Sequence, residues 1–483
     1  MTPLCDDLRT MADIAADSSL SNQAGQHALK RQLGVRDLVL AQVLCVVGST
    51  WVGVAGGLGR AQALVWIAAM VLFYFPMAAV VVVLNDRMPL EGGLYVWAQR
   101  AFGDLGGFLT AWNLWVYGVA VTATILFAIP TELSYLIGPS AAWLPENHLA
   151  SIGIVFVLVA VLTLTAVRGL ELGKWIHNMG GIAIMTVFVA LILLPLWGIW
   201  KHSITHGMDL ALVPPPINLR SMALFGQMLV GALSGLEYIA IFAGESRQPA
   251  KSIAKSVWIS SPIICLMFIL GTSSVVVFAR PDHIDFIAPI PQTLRIALGN
   301  SGLGNWLAVA AILLVQIRLL GAASYLFTGV TRLPMAVGWD ALVPRWFTSL
   351  HPVWRTPVNS ILCMSALVMA LVVFGSLGVH AQEANQVLSN ASLTHYELMY
   401  MAMFAIPIVG VATVRKGLPW WLKWVAGMGF VATLYAFLIS VYPFVDVVDP
   451  MAYAVKIAGT VVVSNLIALG FFVMRKRRPS ADS

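Results

Sequence analysis

Residues 220–245 read RSMALFGQMLVGALSGLEYIAIFAGE. The run is long enough to cross a bilayer, yet glycines stand at 226, 231 and 235, and an acid, Glu237, lies inside it. A carboxylate at membrane depth is costly, so by default it faces the interior of a bundle or a wet cavity. Gly231, Ser234 and Gly235 make the helix easy to break just before Glu237, and a break frees backbone groups to bind something. The stretch therefore reads as an interrupted helix with a binding site at its interruption. A glycine-rich packing face with a self-satisfied Glu237 is the plainer alternative.

The rest of the chain sets this run in a membrane. Of 483 residues, 59% are hydrophobic and only 10% charged, with a mean hydropathy of +0.85; soluble domains carry about 25% charged residues. A soluble globular fold is excluded. A window of about 20 residues per span yields twelve apolar segments, at 36–58, 62–84, 106–136, 149–167, 175–199, 221–243, 256–279, 304–331, 357–378, 386–411, 419–441 and 452–474. Residues 1–34 are polar, lack the apolar core of a secretory signal and read as a cytoplasmic tail, followed by a transmembrane domain over 35–474 and a basic tail over 475–483. Cys5, Cys45, Cys265 and Cys363 are far apart and suggest structural thiols, with no metal site and no cofactor.

Charge gives the orientation. With both tails and the even-numbered connections in the cytoplasm, that side collects 21 of the 28 Lys and Arg residues. The formal charge of +6 is thus spread over membrane loops, which removes nucleic acid as a partner. Arg475, Lys476, Arg477 and Arg478 read as an anchor on anionic headgroups. Trp143, Trp197, Trp200, Trp420 and Trp421 fall near segment ends, as an interfacial belt would. The connection over 85–107 reads as a short interfacial helix.

The first segment carries a second interruption. Gly48-Ser49-Thr50-Trp51-Val52-Gly53 stands halfway between Arg36 and Arg60. Segments one and six are five apart, so they cross in opposite directions. Paired broken helices at matching places in two halves are the pattern of an inverted-repeat transporter with a midplane site.

Four stretches resemble the amino acid-polyamine-organocation permeases. Gly48-Ser49-Thr50-Trp51-Val52 is similar to that family's Gly-Ser-Gly-Ile-Phe break, with Thr50 in place of the second glycine. Ser234-Gly235-Leu236-Glu237, continuing to Gly244-Glu245-Ser246-Arg247-Gln248-Pro249, resembles the sixth helix and its Glu-x-x-Asn-Pro ending. Pro89-Leu90-Glu91-Gly92-Gly93-Leu94-Tyr95 matches the connection into helix three. After segment eight, Thr331-Arg332, Gly338-Trp339-Asp340, Pro344 and Arg355-Thr356-Pro357-Val358-Asn359 complete the likeness. The resemblance implies an all-helical membrane protein of leucine-transporter type. Its inverted five-helix repeats would cover about 36–199 and 221–411, with two additional helices over 419–474.

The residues then suggest a chemistry. The second halves of segments one and six would present free N–H groups and a positive dipole end to a carboxylate. Carbonyls released near Cys45 to Gly48 and Gly231 to Ser234 would take an ammonium group. The candidate substrate-binding set is Gly48, Ser49, Thr50, Trp51, Gly53, Tyr117, Gly231, Ser234, Gly235, Leu236, Glu237 and Tyr325, with Tyr117 favoured by the resemblance over its neighbours Trp112 and Trp115. Glu237 reads either as a helix cap or as a substrate or proton ligand. Arg318, in mid-segment and on one face with Tyr325 and Arg332, needs an anion: Glu237, a substrate carboxylate or another buried group. His395 and Glu397 are candidates for proton relay or for packing polarity. Several relatives place a lysine inside helix five; here only Lys174 is present, at the segment end.

The expected activity is secondary active transport of an amino acid by alternating access in the cell membrane, with protons coupled by symport or with exchange. A polyamine carrier is the runner-up. A channel or a membrane enzyme is a remote alternative, because no catalytic arrangement is visible.

Overall fold

The computed structural model describes residues 35–476, apart from 89–92, 169, 203, 205, 206, 208–210, 237–248, 337–342, 344 and 355. The described residues are helical throughout, with no strand among them. Among the described residues nine helices are long and apolar enough to cross a membrane by length and composition. A chain this apolar must satisfy its backbone polar groups internally, and continuous helices do that. It is a multi-pass membrane protein.

The helices run α1 Val35–Val46, α2 Ser49–Gly56, α3 Gly59–Arg87, α4 Leu94–Ile137, α5 His148–Arg168, α6 Leu170–Lys201 and α7 Leu219–Gln227. They continue with α8 Pro249–Phe278, α9 Pro289–Leu298, α10 Gly302–Ala336, α11 Val358–Ser376, α12 Ala381–Val409, α13 Leu422–Ile439 and α14 Pro450–Lys476. The first apolar segment is therefore two helices, α1 and α2. The third begins earlier than hydropathy suggests: α4 contains a short leading piece set off from the main helix by Gly103, whose φ of 78° is non-helical.

One helix was not expected. The connection after α8 contains α9, ten residues with Pro289, Ile290, Pro291, Leu294 and Ala297 buried. It is too short for a membrane window, so hydropathy passes over it.

Two apolar cores organise the bundle. The larger is built by α1, α2, α3, α7, α8, α9 and α13 with parts of α4, α6, α10 and α12, and the second by α4, α5 and α11 with residues 319–330 of α10 and part of α12. Polar side chains tie α1 and α3 to α8: Gln42 Nε2 donates to Ser256 Oγ at 2.7 Å, and Gln62 Nε2 to Ser273 Oγ at 2.9 Å. Ser260 Oγ donates to Gln42 Oε1. Trp66 stacks on Phe268 at 4.3 Å and donates from Nε1 to Thr272. Such interhelical bonds specify which helices pair, because lipid gives apolar faces no preference among partners. At the bundle surface Trp143, Trp200 and Trp420 are exposed, and Lys201 Nζ lies 4.3 Å over the Trp200 ring.

Candidate functional site

Both interruptions are local backbone events. After Val46 the chain leaves the helix: Val47 N–H still bonds Val43 O, Gly48 is extended at φ −105°, ψ 142°, and α2 restarts at Ser49. No side chain caps α2. Its first-turn N–H groups thus face the break with the positive end of the helix behind them. Beyond α7 the chain widens into a π-helical turn, Met228–Ala232, before Leu233 leaves helical geometry. Gly235 then adopts φ +113°, which an L side chain resists. Its N–H, orphaned by the break, donates to Tyr400 Oη on α12 at 3.1 Å.

The two breaks share one cavity of about 310 Å³, the lower end of the size that encloses a small molecule. Its walls are Val46, Gly48, Thr50 and Trp51 from the first break, Gly231, Ser234 and Gly235 from the second, and Tyr117, Val121 and Thr124 from α4. Gly180 and Gly181 of α6, Arg318, Gly321 and Tyr325 of α10, and Asn385, Ser389, Ser392 and Tyr396 of α12 complete it.

Trp51 joins the breaks. A Cβ on Gly48 would stand 2.8 Å from Trp51 Nε1, and a Cβ on Gly231 would collide with the far edge of the same indole. At both positions any side chain would meet this indole, and glycine lets it pass between the two breaks. Tyr117 is fixed by stacking on Tyr396 at 3.7 Å.

Arg318 reaches the first break. Its Nη2 lies 3.5 Å from the place a Gly48 Cβ would occupy, and the residue is partly exposed, to the cavity. Among the described residues it pairs with no carboxylate within ion-pair distance. Glu132, near the end of α4, is the acid that bears on it electrostatically; it is buried, and among the described residues neither of its oxygens has a hydrogen-bond partner. Among the same residues Asn385 Oδ1 is likewise a buried acceptor without a partner, and its residue lines the cavity.

Of the residues singled out in the sequence, Gly48, Thr50, Trp51, Tyr117, Gly231, Ser234, Gly235, Arg318 and Tyr325 line the cavity. Ser49 is buried beside the break with its hydroxyl unpartnered. Gly53 faces away, against Pro289 of α9, and Leu236 is packed in the larger core. Glu237 lies outside the described residues, as does any Glu237–Arg318 pair. His395 sits away from the cavity, with Nδ1 donating to Ala391 O at 2.7 Å and Nε2 2.6 Å from Ser464 Oγ on α14. Glu397 is buried off the cavity, its Oε2 without a partner among the described residues. Trp112 and Trp115 pack outward, on Phe471 and Phe347.

The α12 wall was missed by sequence reasoning. Asn385, Ser389, Ser392 and Tyr396 recur at helical spacing on one face of a run that also holds Gln386, Asn390, Thr394 and His395. That periodicity was the available signal.

A family profile described as amino acid permease matches residues 38–471, which takes in both breaks and every wall of the cavity. The chain belongs to the amino acid permease family. The permease is 27% identical to an uncharacterized transporter of Legionella pneumophila over 382 residues, 78% of this chain and 81% of that one. It is 24% identical to the branched-chain amino acid permease BcaP of Bacillus subtilis, covering 75% of this chain and 78% of BcaP. It is 23% identical to a probable agmatine/putrescine antiporter, AguD, of Lactococcus lactis, covering 71% of each. The permease is a transporter of the amino acid-polyamine-organocation superfamily, with a cavity sized for a small molecule.

Proposed function

We propose that the permease moves amino acids across the cell membrane by alternating access, with both tails in the cytoplasm. The observation that carries this reading is the pair of interrupted helices facing one cavity, with the uncapped amides of α2 beside a guanidinium. Together they form a carboxylate site, which an amino acid has and a polyamine lacks. The ammonium group has acceptors in the carbonyls released near Val46 and Ser234, and in Asn385 Oδ1. Asn385 therefore joins Gly48, Thr50, Trp51, Tyr117, Gly231, Ser234, Gly235 and Tyr325 as a proposed substrate contact.

Twelve crossings in two inverted repeats fit the helices: the split first segment, the interrupted α7 segment and the polar α12 add to the nine apolar spans. The cavity is walled by residues of both cores, Tyr117 and Tyr396 from the larger and Leu319 from the second, and in this reading one group of helices rocks against the other around it. Proton symport or exchange supplies the driving force in this reading. His395 is engaged on both ring nitrogens, so a role in packing α12 on α14 suits it better than proton relay.

The test is uptake into liposomes holding the purified permease. Entry of a labelled amino acid, competed by other amino acids and not by putrescine or agmatine, is expected. Competition by the diamines alone would replace this reading with the polyamine one, and ion conductance without uptake would replace both with a channel.

A further inference from the structure

We infer that the cavity selects an amino acid carrying a second carboxylate, with Arg318 as the residue that reads the extra charge. The inference rests on the amino acid reading above and goes beyond it to the substrate's net charge. Among the described residues that line the cavity, Arg318 is the one Arg, Lys, His, Asp or Glu. It carries a full positive charge within reach of the α2 N-terminus, where the helix dipole adds more of the same sign. A neutral amino acid brings no net charge, because its ammonium offsets its carboxylate, and so it adds no counter-charge to the guanidinium. An uncompensated charge away from water is strongly disfavoured. A diamine would make matters worse by adding like charge. A substrate with net charge −1 removes the excess.

The donors are placed for it. Trp51 Nε1 and Arg318 Nη2 both stand beside Gly48, 2.8 Å and 3.5 Å from where its Cβ would be, and both residues line the cavity. Among the described residues neither nitrogen has a hydrogen-bond partner. One carboxylate of the substrate lies on the α2 amides and the other on the Arg318 fork, with the indole N–H closing on it; planar guanidinium and carboxylate match two bonds at once. The ammonium turns to the α12 wall. There Asn385, 7% exposed, presents an acceptor with no partner among the described residues. Glu132 does not take that carboxylate's place as partner to Arg318, since it is buried outside the cavity lining.

The experiment is competition for uptake, and thermal stabilisation in nanodiscs, with glutamate, aspartate, glutamine, leucine and putrescine as probes. The acidic pair is expected to compete at concentrations roughly tenfold or more below glutamine and leucine, the scale of one charge-assisted bond. Arg318→Gln should abolish that preference, bringing glutamate level with or below glutamine, and Arg318→Lys should retain part of it. Trp51→Phe, which keeps an aromatic ring and removes the N–H, should weaken acidic substrates several-fold more than it weakens leucine. Preference for leucine or glutamine by the unmodified permease overturns the inference while leaving amino acid transport intact. A glutamate preference unchanged in Arg318→Gln also overturns it, and assigns Arg318's charge to Glu132 or Glu237. Putrescine transport without any amino acid would defeat both readings. The unmodified protein decides the matter alone if a variant fails to fold.

Discussion

Trp51 shows how much one side chain governs here. Its ring lies over Gly48 and Gly231, so it locks the two breaks in register and forms part of the cavity wall. Gly231→Ala is expected to force the indole aside at about 1–3 kcal/mol of overpacking strain. Uptake should fall sharply while the protein stays monodisperse in detergent, and Gly231→Ala combined with Trp51→Leu should recover part of it. No recovery in the double variant would mean that the glycine serves the backbone and not the ring. The glycine-rich patches were visible in the sequence as markers of a break, but the reason for Gly231 was not. It lies in a side chain 180 residues away, and no local pattern encodes that contact.

At the scale of elements, the connection carrying α9 is held down at one point. Asp285 Oδ2 accepts from Tyr135 Oη at 2.9 Å, and its Oδ1 accepts from Gln382 Nε2 at 2.9 Å and from the amides of Ile287 and Ala288. Arg295 of α9 donates to Tyr135 O, Leu136 O and Asn305, satisfying the end of α4. One carboxylate thus joins α4, α12 and the connection that presses Pro289 onto Gly53 of α2. Asp285→Ala should loosen this clasp. In a cysteine-free background carrying Asn385→Cys, a membrane-impermeant thiol reagent added outside is expected to label several-fold faster with Asp285→Ala than without it. An unchanged rate would show that the clasp does not control access. Hydropathy could not reveal α9, since its ten residues bury one side only and never fill a membrane window.

For the whole molecule, the distribution of basic residues argues that both tails lie in the cytoplasm. A reporter that is fluorescent only in the cytoplasm should be bright when fused after Ser483, and a periplasmic-active enzyme at the same place should be silent. The opposite result would invert the orientation and with it the side on which Asp285 closes. Polar residues in α12 and α14 bear on assembly as well. Asn113 and Asn465 exchange amide bonds at 2.9 and 3.2 Å, and Asn390 donates to Tyr453 Oη. These pairs place α14 against α4 and α12, a placement that an apolar helix in lipid would not find by hydrophobicity.

What the amino-acid order determined unaided was class and landmarks: a helical membrane chain, from the lack of charge, and two interrupted segments, from Gly48 to Gly53 and Gly231 to Gly235. Backbone conformation at glycine is a short-range property, so it is written in adjacent residues. Tertiary structure alone decided which side chains meet at those landmarks. It turned His395 to Ser464, set Gly53 against Pro289, brought the Asn385 to Tyr396 face into the cavity and laid Arg318 beside Gly48. Each depends on the rotation of one helix about its axis relative to another, and that angle is fixed by packing between segments far apart in the chain.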